Sequence, residues 1–226
     1  ISRSADTTTV IVTPIGDNWQ QAVRDVRAII EDAVTTPPSQ ADINRELAKR
    51  PTDQQKILIF VHGYNNTASD SILRLSQFIE DTNYQGVPVL FSCASAAKAP
   101  RYVYDLNSAL VARAKIKQMA GVLTKTRARE IDIFAHSMGT LLTMEGLVDA
   151  QLSGTLGTRG HINHIMLASP DIDIDLFRTQ IGLLPKKIVE SMYVLISEDD
   201  AALRFSRLIA GGAMCTPPSA WGSGRV

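Results

Sequence analysis

Apolar positions along the chain fall into two alternating kinds of run. Short continuous blocks read as strands, and longer stretches with an apolar residue every three or four positions read as helices. Residues 7–13 (TTTVIVT) are β-branched and are expected to form a strand. Residues 17–34 follow as a helix, with Trp19, Val23, Val26, Ile29 and Ile30 on one face. A polar stretch with Pro37 and Pro38 leads into a charged helical segment, 40–49, which Pro51 stops. From Lys56 the rhythm is regular. Strands are expected at 56–61, 87–91, 130–134, 164–168 and 192–196, with helices at 69–82, 102–123, 139–152, 173–181 and 201–210 between and after them. The tail, 211–226, has no period and is rich in Gly, Pro and Ser, so it reads as loop.

Strands that are apolar at every position are buried on both faces, as in parallel sheets. Their alternation with helices calls for right-handed crossovers. The expectation is α/β: a doubly wound, mostly parallel sheet in one domain over 1–226. In it, 1–55 supply an N-terminal strand and helices, 56–210 the core and 211–226 an irregular tail. Composition fits this reading, with 45% hydrophobic and 20% charged residues. Lys+Arg and Asp+Glu are 23 each, so no global field points to nucleic acid or an anionic membrane. No apolar run is long enough to span a bilayer. Two cysteines, Cys93 and Cys215, are too few for a disulfide framework; one bridge or two thiols are both open. The chain starts at Ile1, which suits either a cytoplasmic protein or an exported one whose signal segment has been removed.

The chemistry gathers at Ala135-His136-Ser137-Met138-Gly139, between the 130–134 strand and its helix. In a G-x-S-x-G turn the serine sits on a sharp strand-to-helix bend that lifts its hydroxyl clear of the sheet, and small residues two before and two after let strand and helix approach. Gly139 keeps the later position, and Ala135 replaces the earlier glycine with another small residue. A small-x-Ser-x-Gly window arises by chance in roughly one chain in six of this length, so its placement after a strand and before a helix carries the signal. Ser137 is the candidate nucleophile, and the N–H of Met138 a candidate oxyanion donor. His62-Gly63-Tyr64-Asn65-Asn66 follows the 56–61 strand, where such folds put the loop supplying the second donor, here the N–H of Tyr64.

These segments, with Phe91-Ser92, Tyr104-Asp105, Ala168-Ser169-Pro170-Asp171-Ile172-Asp173 and Asp200-Ala201-Ala202-Leu203, resemble the bacterial DUF900 α/β-hydrolases over about residues 56–212. The resemblance implies an α/β-hydrolase sheet, an activated serine and ester-like substrates. Cys93 stands where the family pattern usually has tryptophan.

An activated serine needs a base, and the base an orienting carboxylate, in the chain order Ser, acid, His. Asp200, after the 192–196 strand, matches the family motif and is the expected acid; Asp171, after the preceding strand, is the alternative, and Asp199 stands third. Either Asp200 or Asp171 could instead cap the following helix. None of the four histidines, His62, His136, His161 and His164, follows Asp200. By the resemblance, a histidine would come after one further strand, so the sheet is expected to lack its last strand and leave an open edge at 192–196. That edge would suit a homo-oligomer. A longer form, a partner's histidine and a non-catalytic binding protein are three ways to account for the missing base. Asp171, Asp173 and Asp175 alternate with isoleucine, but lack the glycine and distal glutamate of a calcium loop, and read as a helix entry with solvated surface carboxylates. The expected function is a carboxylic-ester hydrolase acting on a small-molecule ester with no metal or cofactor.

Overall fold

The computed structural model describes residues 8–11, 38–63, 68–92, 113–156, 161–196 and 224–225. Seven strands lie in one sheet in the order β1-β3-β2-β4-β5-β6-β7. They are β1 (Thr8–Ile11), β2 (Lys56–Val61), β3 (Val87–Ser92), β4 (Glu130–His136), β5 (His161–Ala168), β6 (Met192–Leu195) and β7 (Gly224–Arg225). The five from β3 to β6 are all parallel. Strands β1 and β7 run antiparallel on the two edges. The doubly wound, mostly parallel expectation holds.

The edge expected to be open at 192–196 is covered in part. Strand β7 pairs with β6 through Tyr193↔Arg225 and Val194↔Gly224, so a piece of the tail read as irregular covers part of that edge. Two residues have no periodicity to detect, which is why this strand was illegible. The expected helices at 17–34 and 201–210, and Cys93 and Cys215, lie outside the described residues.

Alternate residues of each central strand serve different cores. Ile57, Ile59 and Val61 of β2 join Ile131, Ile133 and Ala135 of β4 in the larger cluster. That cluster also takes Ile43 and Leu47 of α1 (Gln40–Ala48), Ile116 and Leu123 of α3 (Arg113–Leu123), and Leu142, Met144 and Leu147 of α4 (Met138–Leu152). Phe177 of α5 (Ile174–Leu183) and Ile188 of α6 (Lys186–Glu190) also join it, with residues of β3, β5 and β6; α6 is a short helix after Pro185 that the apolar pattern missed. Leu58 and Phe60 point the other way, onto Ile72, Leu75 and Ile79 of α2 (Ala68–Thr82), where Phe60 and Phe134 stack with centroids 5.2 Å apart.

The pairing of β4 with β5 slips once. Ile131 faces Ile162 but Asp132 faces His164, so Asn163 is an extra residue in the ladder. A side-chain network fills this kink. Asp132, 5% exposed, accepts hydrogen bonds from Tyr84 Oη (3.1 Å) and His164 Nδ1 (3.0 Å), while the Asn163 amide donates to Glu130 (3.2 Å). Tyr84 reaches it because Asn83, at φ 49°, turns the chain at the end of α2. Burial, and then the charge of Asp132, push the Tyr84 phenol well above its ordinary value.

Candidate active site

The chain passes from β2 to its neighbour β3 on one side, then crosses back to β4 on the other and continues to β5 and β6. Winding reverses between β2 and β4, and at such a switch point a crevice opens beyond the carboxyl ends of the strands. The register Val61↔Ala135 brings both ends to one level. His62 and Gly63 follow from β2, and Ser137 from β4.

Ser137 has φ 52° and ψ −123° and is the residue immediately before α4. An L-residue there costs roughly 1–3 kcal/mol, so the conformation persists only if its surroundings hold it. They do so through the backbone. Its N–H donates to the Ala168 carbonyl at 2.9 Å; its own carbonyl accepts from the Thr140 N–H (2.9 Å), the Thr140 hydroxyl (2.6 Å) and the Asp171 N–H (3.3 Å). At about 0.5–1.5 kcal/mol net for each bond, these offset the strain. The Ser137 side chain caps nothing in α4 and is 5% exposed.

Close approach explains the small residues. A Cβ on Gly139 would lie 2.6 Å from the His62 carbonyl oxygen and 2.7 Å from that of Val61, both backbone. A Cβ on Gly63 would lie 2.7 Å from both Ser137 Cβ and His136 Nδ1. Ala135, in the position of the earlier glycine, is fully buried. Helix α4 is buried on every side from Met138 to Met144, as befits a helix whose start is sunk beneath a turn. Its first residue, Met138, carries an N–H that has no carbonyl within the helix to bond. Buried His62 donates from Nδ1 to the Gly63 carbonyl at 2.7 Å and so fixes the direction of that carbonyl.

The other expected site residues divide. Asp171 is half-buried, and its backbone touches Ser137; it does not cap the next helix, because Asp173 does, accepting from the N–H groups of Asp175 and Leu176. Tyr64, Asp199 and Asp200 lie outside the described residues. His161 and His164 sit at the beginning and amino half of β5, away from the carboxyl ends. Among the described residues, no group of three or more His, Cys, Asp or Glu could hold a metal ion. No helix among them is long and apolar enough to cross a membrane. A cavity of about 380 Å³ lies between α3, α4 and the sheet, lined by Ile59, Ile116, Ile133 and Leu147. Ser137 is not among its lining residues, so volume alone points elsewhere than the strained turn.

The motif predicts the sharp turn at Ser137 and the close approach at Gly139, but not the bonds from Thr140, the Ala168 carbonyl and the Asp171 N–H. Thr140 is visible as the third residue of a helix, where threonine often bonds back to a carbonyl. The other two come from the β4–β5 pairing, which no local pattern encodes.

Residues 36–216 match a protein family described as "Alpha/beta hydrolase of unknown function" (DUF900). No curated protein matches the chain. Among solved structures, esterase B from Lactobacillus rhamnosis is similar at 11% identity and TM-score 0.41, over 73% of this chain and 62% of that one. TT1662 from Thermus thermophilus is similar at 13% identity and TM-score 0.38, over 70% and 59%. Esterase PE8 is similar at 15% identity and TM-score 0.39, over 69% and 93%. The chain thus spans less than two thirds of the length of the first two of these proteins.

Proposed function

The chain belongs to the DUF900 family of α/β hydrolases, and from that premise we propose that it is a serine hydrolase of carboxylic esters with Ser137 as nucleophile. The observation that carries this reading is the strained backbone of Ser137 at the β4–α4 turn, at φ 52° and ψ −123°. It lies beside the His62-Gly63 turn at the switch point of the sheet.

The Ser137 Oγ attacks the ester carbonyl carbon. A new C–O bond forms, and the carbonyl π pair moves onto oxygen, which takes hydrogen bonds from the N–H groups of Met138 and Tyr64. A base removes the serine proton and delivers it to the departing alkoxide as the ester C–O bond breaks; water then frees the acyl group by the same steps. Asp200 orients the base, with Asp171 as the alternative acid.

A second reading is a binding module on the same fold, favoured by the apolar cavity of about 380 Å³ that Ser137 does not line. Hydrolysis of a p-nitrophenyl ester by the chain and by Ser137→Ala separates the two, together with labelling by a fluorophosphonate. The enzyme reading expects hydrolysis and labelling that both vanish in the variant. Equal rates in the two proteins, or folded protein that is never labelled, would overturn it.

A further inference from the structure

We propose that Thr140 is a positioning residue for the oxyanion-binding peptide, acting through the Ser137 carbonyl. The inference rests on the reading of Ser137 as nucleophile. The Ser137 carbonyl and the Met138 N–H are two ends of one planar trans peptide and point in opposite directions. Whatever fixes the oxygen therefore aims the N–H. Thr140 supplies two of the three donors on that oxygen, its hydroxyl at 2.6 Å and its N–H at 2.9 Å. Thr140 has no exposed surface, so water cannot take the place of the hydroxyl. Donors on a peptide oxygen also polarise the group and strengthen its N–H as a donor.

A threonine bonding back along a helix is common and often idle, and this helix contains its own control. Buried Thr143 makes the same kind of bond, from its hydroxyl to the Gly139 carbonyl at 2.8 Å. Gly139 is inside the helix, and the helix ladder already fixes that carbonyl. Ser137 is outside it, with a positive φ, so the direction of its carbonyl depends on the bonds it receives.

The test compares Thr140→Val, Thr140→Ser and Thr143→Val, using p-nitrophenyl ester kinetics and the rate of fluorophosphonate labelling. Loss of one hydrogen bond to the transition-state peptide predicts a fall of roughly 3- to 10-fold in kcat and in labelling rate for Thr140→Val. KM should move less than twofold. Thr140→Ser should restore the rate, and Thr143→Val should match the parent chain. A folded Thr140→Val at full rate overturns the proposal, as does an equal loss in Thr143→Val or a failure of Thr140→Ser to restore. If Thr140→Val does not fold, Thr140→Ala is read in its place by the same criteria. An unlabelled parent chain overturns the nucleophile reading and this inference with it, whereas a labelled parent with an unaffected Thr140→Val overturns this inference alone.

Discussion

Strands β4 and β5 carry two polar assemblies, one at each end, each built around a buried residue but on opposite plans. Around Asp132 the partners are side chains, Tyr84 and His164, and they satisfy one another. Around Ser137 the partners are nearly all backbone groups, and they hold a strained residue whose side chain caps nothing. A network closed on itself contributes stability and leaves little for a ligand. A turn held from beneath, with a hydroxyl and a helix N-terminus at its outer side, has its chemistry unused by the fold. Burial alone would not separate them, since Asp132 and Ser137 are both 5% exposed.

Substitutions sharpen this contrast. The largest effect is expected at Ser137→Ala, with ester hydrolysis falling about 10³- to 10⁶-fold while the urea midpoint stays close to that of the parent. Ser137→Gly should be equally inactive but more stable by about 1 kcal/mol, because glycine tolerates the positive φ. A loss of stability in either variant would break the distinction between the two ends. Asp132→Ala should do the reverse. Tyr84, His164 and the Asn163 amide, which also reaches Asp132 at 3.4 Å, lose their acceptor, at a cost of about 3 kcal/mol by urea denaturation, while fluorophosphonate labelling of Ser137 in the folded fraction is unchanged. Gly139→Ala links the two properties, since its methyl would collide with backbone; about 2 kcal/mol of stability and the labelling rate should fall together. Tyr84→Phe has the smallest effect, about 1 kcal/mol at neutral pH, but a distinct pH signature. Burial and Asp132 raise the Tyr84 phenol in the folded chain. As pH climbs past the ordinary tyrosine range the unfolded chain releases this proton and the folded chain keeps it, so stability declines with rising pH. Urea titrations above about pH 10 should show a shallower decline in Tyr84→Phe.

Legibility in the sequence followed the same division. The central strands were readable because burial on both faces leaves continuous apolar runs such as Ile57-Leu58-Ile59-Phe60-Val61. Their parallel direction followed from the helices between them. The antiparallel sense of β1 was not readable, since direction leaves no mark on a β-branched run, and β7 was too short to have a pattern. Ser137 was legible because its strain demands small neighbours in fixed places. The carbonyl of Ala168 and the N–H of Asp171 were not, because any residue there would offer the same backbone groups. Asp132 is a charge in the middle of an apolar strand, a sign of a partner in the fold, but no local pattern names Tyr84 or His164.

The single slip between β4 and β5 has a consequence for how this protein tolerates changes of length. Ile162 and Ile165 are three positions apart, an odd spacing that in an unbroken strand would send them to opposite faces, yet both pack on the larger core. Asn163 is the surplus residue that makes this possible. The remainder of β5 is thereby set one step out of phase with its own beginning. Deleting a residue between Ile165 and Ala168 would turn part of the strand inside out. Deleting Asn163 would instead leave both parts of the strand with their present partners, since Ile162 and His164 already face the consecutive residues Ile131 and Asp132. Insertions and deletions in relatives of this chain should therefore collect at the start of β5 and be rare in the half that ends beneath the serine.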